Sequence, residues 1–163
     1  MSHIAYIGLG SNLDEPIQQL STALQELNQL ADCQLIAQSS LYSSKPVGPQ
    51  DQPDFVNAVA KLKTNLEPLT LLNELQALEQ SHRRIRERHW GPRTLDLDLL
   101  LYDDDFITHP RLTVPHLHMH ERGFVLLPLS EIDPNIELPG KGLVTLILRD
   151  IPTDDLQVLT ITE

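Results

Sequence analysis

Two carboxylates two residues apart, Asp96 and Asp98, sit inside an apolar run, Leu95-Asp96-Leu97-Asp98-Leu99-Leu100-Leu101-Tyr102. Alternation of this kind predicts a strand. Both aspartates then project from one face, and Leu95, Leu97, Leu99 and Leu101 take the other. Carboxylates in an apolar strand are costly unless something neutralises them, and a divalent cation with oxygen ligands does so. Immediately upstream, His82-Arg83-Arg84-Ile85-Arg86-Glu87-Arg88-His89 carries the densest positive charge of the chain, and five of the twelve Lys and Arg residues fall between Arg83 and Arg93. A basic segment feeding a strand with paired carboxylates points to magnesium and a polyphosphate.

The rest of the composition narrows the partners. A net charge of −11 argues against general nucleic-acid binding, which needs broad positive potential. A local basic cluster on so acidic a chain suits a compact anion instead. With 163 residues, 40% of them hydrophobic, the chain is expected to form one domain, 1–163, around a sizeable core. No apolar run reaches the length of a membrane span, and the first residues lack a signal-peptide pattern. The single cysteine, Cys33, has no partner for an internal disulfide, so a reducing cytoplasm is the expected compartment.

The elements that must position the aspartates follow from periodicity. His3–Leu9 reads as a first strand, ended by Gly10-Ser11-Asn12; that glycine turn lacks the glycine–lysine spacing of a nucleotide P-loop. Ile17, Leu20, Leu24 and Leu27 mark a helix that opens near Pro16 and runs to about Leu30. Cys33–Tyr42 reads as a second strand, followed by a proline-stiffened loop to Asp54. In the strand Phe55–Thr64, Phe55, Asn57, Val59, Lys61 and Lys63 share one face. Pro68 opens a second helix, with Leu69, Leu72, Leu75, Leu78 and His82 along one stripe and Gln76 and Glu79 neighbours on another. Beyond the aspartate strand come a Phe106-Ile107 fragment, a proline-constrained stretch from His109 to His116 and a short helix within Glu121–Ile132 cut by Pro128. Another short helix near Leu143–Leu148 and a last strand near Leu156–Ile161 complete the chain. The order strand–helix–strand–strand–helix–strand is that of a ferredoxin-like split βαβ fold, α+β, with an antiparallel sheet, helices packed on it and long active-site loops.

At His89-Trp90-Gly91-Pro92-Arg93-Thr94-Leu95-Asp96-Leu97-Asp98-Leu99-Leu100 the chain resembles the hydroxymethyl-dihydropterin pyrophosphokinases of folate biosynthesis. Further blocks of resemblance are Gly8-Leu9-Gly10-Ser11-Asn12-Leu13, Gly48-Pro49-Gln50-Asp51-Gln52-Pro53-Asp54-Phe55-Val56-Asn57, Arg111-Leu112-Thr113-Val114-Pro115-His116 and Arg122-Gly123-Phe124. The resemblance implies a ferredoxin-like fold and transfer of the pyrophosphoryl group of ATP to the pterin hydroxymethyl, releasing AMP. It implies two Mg²⁺ ions on Asp96 and Asp98, with Arg84 and Arg93 as catalytic arginines. It carries ATP binding to Gln76, Glu79, Arg86, Arg111, Thr113, His116 and Arg122, and pterin binding to Ser44, Val47, Phe55, Asn57, Trp90 and Phe124. The partners so implied are small molecules only, with no nucleic acid or membrane, and a monomer is expected. The chain departs from the family pattern at Arg83, usually a small residue, at Leu117 and Phe55, where an aromatic and a tyrosine are common, and at Lys45, where proline is frequent.

Two rival readings are distinct in chemistry. The alternating His116-Leu117-His118-Met119-His120 is similar to the histidine-triad nucleotide hydrolases, or offers imidazoles to zinc. Against the first, the motif continues with apolar residues, whereas Glu121-Arg122 follow here. The second rival is a ferredoxin-like module that binds a nucleotide without turnover, and such a module has no need of both Asp96 and Asp98.

Overall fold

The computed structural model describes residues 2–12, 15–45, 54–85 and 95–159, without the side chains of residues 83–85. Strand β1 (His3–Ser11) is followed by helix α1 (Pro16–Gln29), strands β2 (Cys33–Gln38), β3 (Leu41–Ser44) and β4 (Phe55–Thr64), helix α2 (Pro68–Ile85) and strand β5 (Asp96–Tyr102). The sheet is antiparallel in the order β10-β3-β4-β1-β5, with β2 also on β4 and β10 (Gln157–Leu159) added outside β3. Counting β2 and β3 as one interrupted strand, this is the ferredoxin-like order, so the predicted fold class holds.

Several boundaries differ from the sequence reading for physical reasons. β1 continues through Ser11 because Gly10 and Ser11 keep pairing with Asn57 and Val56; the expected turn there does not form. The second strand breaks at Ser39-Ser40. Ser39 takes both backbone groups of Val59, its N–H donating to the carbonyl and its hydroxyl accepting from the amide. Ser40 turns its N–H and hydroxyl to Glu131. The stretch from His109 to His116 contains a hairpin strand rather than loop alone: β6 (Ile107–His109) pairs with β7 (Leu112–Val114) across a tight turn at Pro110-Arg111. Helix α3 (Gly123–Ile132) runs through Pro128 uncut. Proline forfeits one intrahelical bond, but this helix is apolar nearly all round and buries Val125, Leu126, Pro128 and Leu129, so packing offsets the loss. Two two-residue strands, Glu137–Leu138 and Gly142–Leu143 (β8 and β9), lead into helix α4 (Val144–Leu148).

The sheet buries both faces. On one, α1 and α2 set Leu20, Leu24, Leu27, Leu71 and Leu75 against Ile7, Leu9, Ala58, Ala60, Leu62, Leu97 and Leu99. Ile17, predicted for the same stripe, lies in the first turn of α1 and is exposed. On the other face, α3 and Met119 cover Tyr6, Val59, Leu100 and Leu101. Leu101 therefore sits opposite to its predicted side. The β1–β5 register slips between Tyr6 and Ile7, so that Leu100 and Leu101 both turn to the α3 face. A bulge of this kind inverts the alternation beyond it.

Two carboxylates tie the end of α3 to the sheet. Glu131 accepts from Ser40 and, at 2.6 Å, from the Tyr42 hydroxyl. Asp133 accepts from the Tyr6 hydroxyl and pairs with Lys61 at 2.8 Å. Burial pushes the Asp133 pKa up, but the bonds from Lys61 and Tyr6 outweigh it and hold the carboxyl below its ordinary 3.8. A carboxylate depressed by folding stabilises above its unfolded value and loses that contribution as pH falls through the folded one. Asp133→Asn should therefore lower unfolding free energy by roughly 1–2 kcal/mol at neutral pH. The deficit should shrink below pH 3.8, as urea denaturation at several pH values would measure.

Candidate active site

The register of β1 builds the site. Asp96 lies opposite Gly10, and Asp98 opposite Gly8. Residues directly opposite on neighbouring strands share a face, so no β1 side chain stands beside either carboxylate. Gly10 is in turn opposite Asn57, which makes a row Asp96–Gly10–Asn57 across three strands. Neighbouring strands are about 4.8 Å apart, so the row places a carboxylate and an amide roughly 10 Å from each other with a glycine between them. A Cβ on Gly10 would lie 3.2 Å from Asn57 Nδ2. The glycine is required for that close approach, not for backbone freedom.

On the Asn57 side, the Ser44 hydroxyl donates to Asn57 Oδ1 at 2.6 Å, and Ser44 pairs with Phe55 across the ladder. Ser44 and Asn57 are buried and Phe55 half-buried. The bond from Ser44 fixes the amide with its nitrogen toward Gly10. Phe124, in the first turn of α3, packs on the core beneath, and the Arg122 guanidinium lies 5.7 Å from its ring centroid. Gly123 between them admits no side chain, since a Cβ there would come within 2.9 Å of the Pro152 carbonyl.

On the Asp98 side a cavity of about 250 Å³ opens between β5, α2 and the β6–β7 hairpin, lined by Leu72, Asp98, Arg111, Thr113, His116 and Leu117 among others. Its walls are mostly leucine. The size falls below the ~300–1,000 Å³ of whole-ligand pockets. Arg111, at the hairpin tip, donates to Asn73 Oδ1 at 2.6 Å and Gln76 Oε1 at 3.0 Å. Asn73 was not a predicted site residue. Its spacing of three from Gln76 on α2 was the available signal. Glu79 accepts from the backbone N–H of Leu97 at 2.8 Å, clamping β5 between the two aspartates. The His116 amide donates to the Leu100 carbonyl at 2.9 Å.

Burial holds the His116 pKa below its ordinary 6.5, Arg122 and His118 push the same way, and the Asp98 charge opposes them. A half-buried neutral imidazole results, able to donate from one nitrogen and accept at the other. His118 and His120 instead lie near Glu121, at 3.7 and 3.5 Å. Among the described residues no three His, Cys, Asp or Glu side chains converge, so the zinc reading of this stretch finds no cage. Two aspartates on an open face suit magnesium, which is held by one or two carboxylates plus substrate phosphates. A larger groove of about 580 Å³ lies between α1 and the β2–β3 edge, and no ionisable side chain is among its lining residues. No helix among the described residues is long and apolar enough to cross a membrane.

The structure thus brings together Ser44, Phe55, Asn57, Asp96 and Asp98 on one sheet face, with Arg111, Thr113 and His116 lining the cavity and Gln76 bonded to Arg111. Val47, Arg86, Trp90 and Arg93 lie outside the described residues, and Arg84 is described in backbone only, within α2. For the metal-free protein, NMR titration should show His116 below 6.5, and Asp98→Asn should lower it further by removing a charge that raises it.

The chain is 53% identical over 145 residues to the 2-amino-4-hydroxy-6-hydroxymethyldihydropteridine pyrophosphokinase of Haemophilus influenzae, covering 89% of this chain and 91% of that one. With the Pseudomonas aeruginosa enzyme of the same name it shares 48% identity over 154 residues, covering 94% and 95%. The fold is similar to the Plasmodium falciparum HPPK-DHPS triple mutant solved with pteroate, at a TM-score of 0.76 and 14% identity, covering 99% of this chain and 47% of that one. This chain therefore spans about half the length of that solved protein. The sequence pattern of the 7,8-dihydro-6-hydroxymethylpterin-pyrophosphokinase enzymes matches residues 6–134, and the chain belongs to that family.

Proposed function

We propose that this chain transfers the pyrophosphoryl group of ATP to the hydroxymethyl oxygen of 6-hydroxymethyl-7,8-dihydropterin in folate biosynthesis, giving the pterin diphosphate and AMP. The observation that carries the reading is the row Asp96–Gly10–Asn57, which puts a carboxylate pair and a ring-reading amide on one face, with only a glycine between them. The reaction needs an acceptor hydroxyl and a phosphate chain brought together over two carboxylates, and positioning supplies much of the rate in such transfers.

On the acceptor side, Asn57 meets the pterin edge with an amide whose oxygen Ser44 already engages, so its N–H₂ group is the half offered to a ring acceptor. Phe55 and Phe124 supply faces on which a flat heterocycle stacks, and Val47 and Trp90 complete the pterin set. On the donor side, the leucine-walled cavity takes the base of ATP, with Thr113, His116 and Arg111 in its lining. Arg111 rests on Gln76, so both belong to the nucleotide side, with Glu79, Arg86 and Arg122. Asp96 and Asp98 would hold two Mg²⁺ ions, which would supply positive charge to offset that of the phosphates. Arg84 and Arg93 answer the charge that grows toward AMP, with a fork geometry that lysine lacks. A cytoplasmic monomer acting on two small molecules is the setting this reading implies.

Incubation of the protein with Mg²⁺, ATP and the reduced pterin should yield AMP; release of ADP instead would exclude pyrophosphoryl transfer. Asp98→Ala should lose turnover by about a hundredfold or more with its fold retained, as expected when a charge-stabilising group is removed. Gly10→Ala, which crowds the Asn57 amide, should raise the pterin KM well above its effect on the ATP KM.

A further inference from the structure

His82 is ionisable, buried to 4% exposure and without a place in the chemistry proposed above. It sits near the C-terminal end of α2, two residues before Arg84. Its ring reaches across to α1, where Nδ1 meets Gln19 Oε1 and Nε2 meets Glu26 Oε1 at 2.6 Å. Gln19 and Glu26 are seven residues apart, two turns along one face of α1, so the ring is gripped from two points. A carboxylate only accepts, so Nε2 donates to Glu26.

The apolar residues of both helices around it are leucines, Leu20, Leu24 and Leu27 on α1 and Leu71, Leu72 and Leu75 on α2, all part of one core with the sheet. Leucine surfaces tolerate small slides and rotations, whereas a ring bonded at both nitrogens permits one setting. Leucine would fill the same space; a buried polar group in its place specifies geometry rather than adding stability. The setting so fixed is that of the last turn of α2, which bears Arg84 and leads into the arginine segment.

We propose that His82 is a positioning residue for pyrophosphoryl transfer. By locking the end of α2 to α1, it sets where Arg84 starts from, and its effect on turnover passes through that arginine. This rests on the function proposed above. A misplacement of about 1 Å costs up to roughly a hundredfold in rate.

The test combines hydrogen exchange with steady-state kinetics on the full chain. In His82→Leu, the amides of residues 82–85 should exchange faster and kcat should fall at least about tenfold, with the pterin KM little changed. His82→Gln, which keeps a donor for Glu26, should restore most of the turnover. In an Arg84→Ala background, His82→Leu should have no further effect on kcat. Wild-type kcat in folded His82→Leu, unchanged exchange in that last turn, or independent, multiplicative losses with Arg84→Ala would each overturn the inference. If His82→Leu does not fold, Glu26→Ala provides the same readouts, and unchanged kcat there overturns it equally. Asp98→Ala separates the two readings: an active Asp98→Ala protein refutes the proposed function, whereas an active His82→Leu protein refutes only the role of His82.

Discussion

The site depends on one constraint, the antiparallel register between β1 and β5 that sets a glycine opposite each carboxylate. Gly8 faces Asp98 and Gly10 faces Asp96. A one-residue slip would send both aspartates into the leucine core and bring Leu97 and Leu99 out. The register is held from the helix side. Leu97 and Leu99 are buried against α1 and α2, and Glu79 clamps the Leu97 amide from the helix. The bulge at Leu100 comes after the aspartates, so it adjusts the strand to the second core without disturbing them. The same leucines that make the core thus fix the orientation of the chemistry.

The opposite face of the sheet is divided between packing and an open surface. α3 covers the half with Tyr6, Val59, Leu100 and Leu101, anchored through Glu131 and Asp133. The other half presents Ser44, Phe55, Asn57, Asp96 and Asp98, while at the start of α3 Arg122 lies over the Phe124 ring. Neither division needs a large pocket.

Much of this was legible in the chain alone. Period-two alternation placed β4 and the aspartate strand, and leucine spacing placed α1 and α2, because burial on one face imposes those periods. Less legible were features set by partners distant in sequence. The break at Ser39-Ser40 exists because Val59 and Glu131 bond there, and no local pattern announces it. The turn at Leu101 comes from a bulge opposite Tyr6 and Ile7. Pro128 suggested an interruption, yet a helix buried on nearly every side absorbs one missing bond. In the candidate site, Asp96 and Asp98 stand out by type and spacing, whereas Asn57 and Arg111 are singled out by the family resemblance. Asn73 and the partners of His82 are found by neither, because they are defined by which helix faces which.

The central claim is that Asp96 and Asp98 together hold the ions that carry the phosphate chain. Electron paramagnetic resonance with Mn²⁺ in place of Mg²⁺, and an unreactive ATP analogue present, counts those ions directly. The wild-type protein should take up two Mn²⁺ with the nucleotide, and a variant with both aspartates changed to asparagine no more than the one that the nucleotide carries in. An unchanged count in that variant would contradict the account.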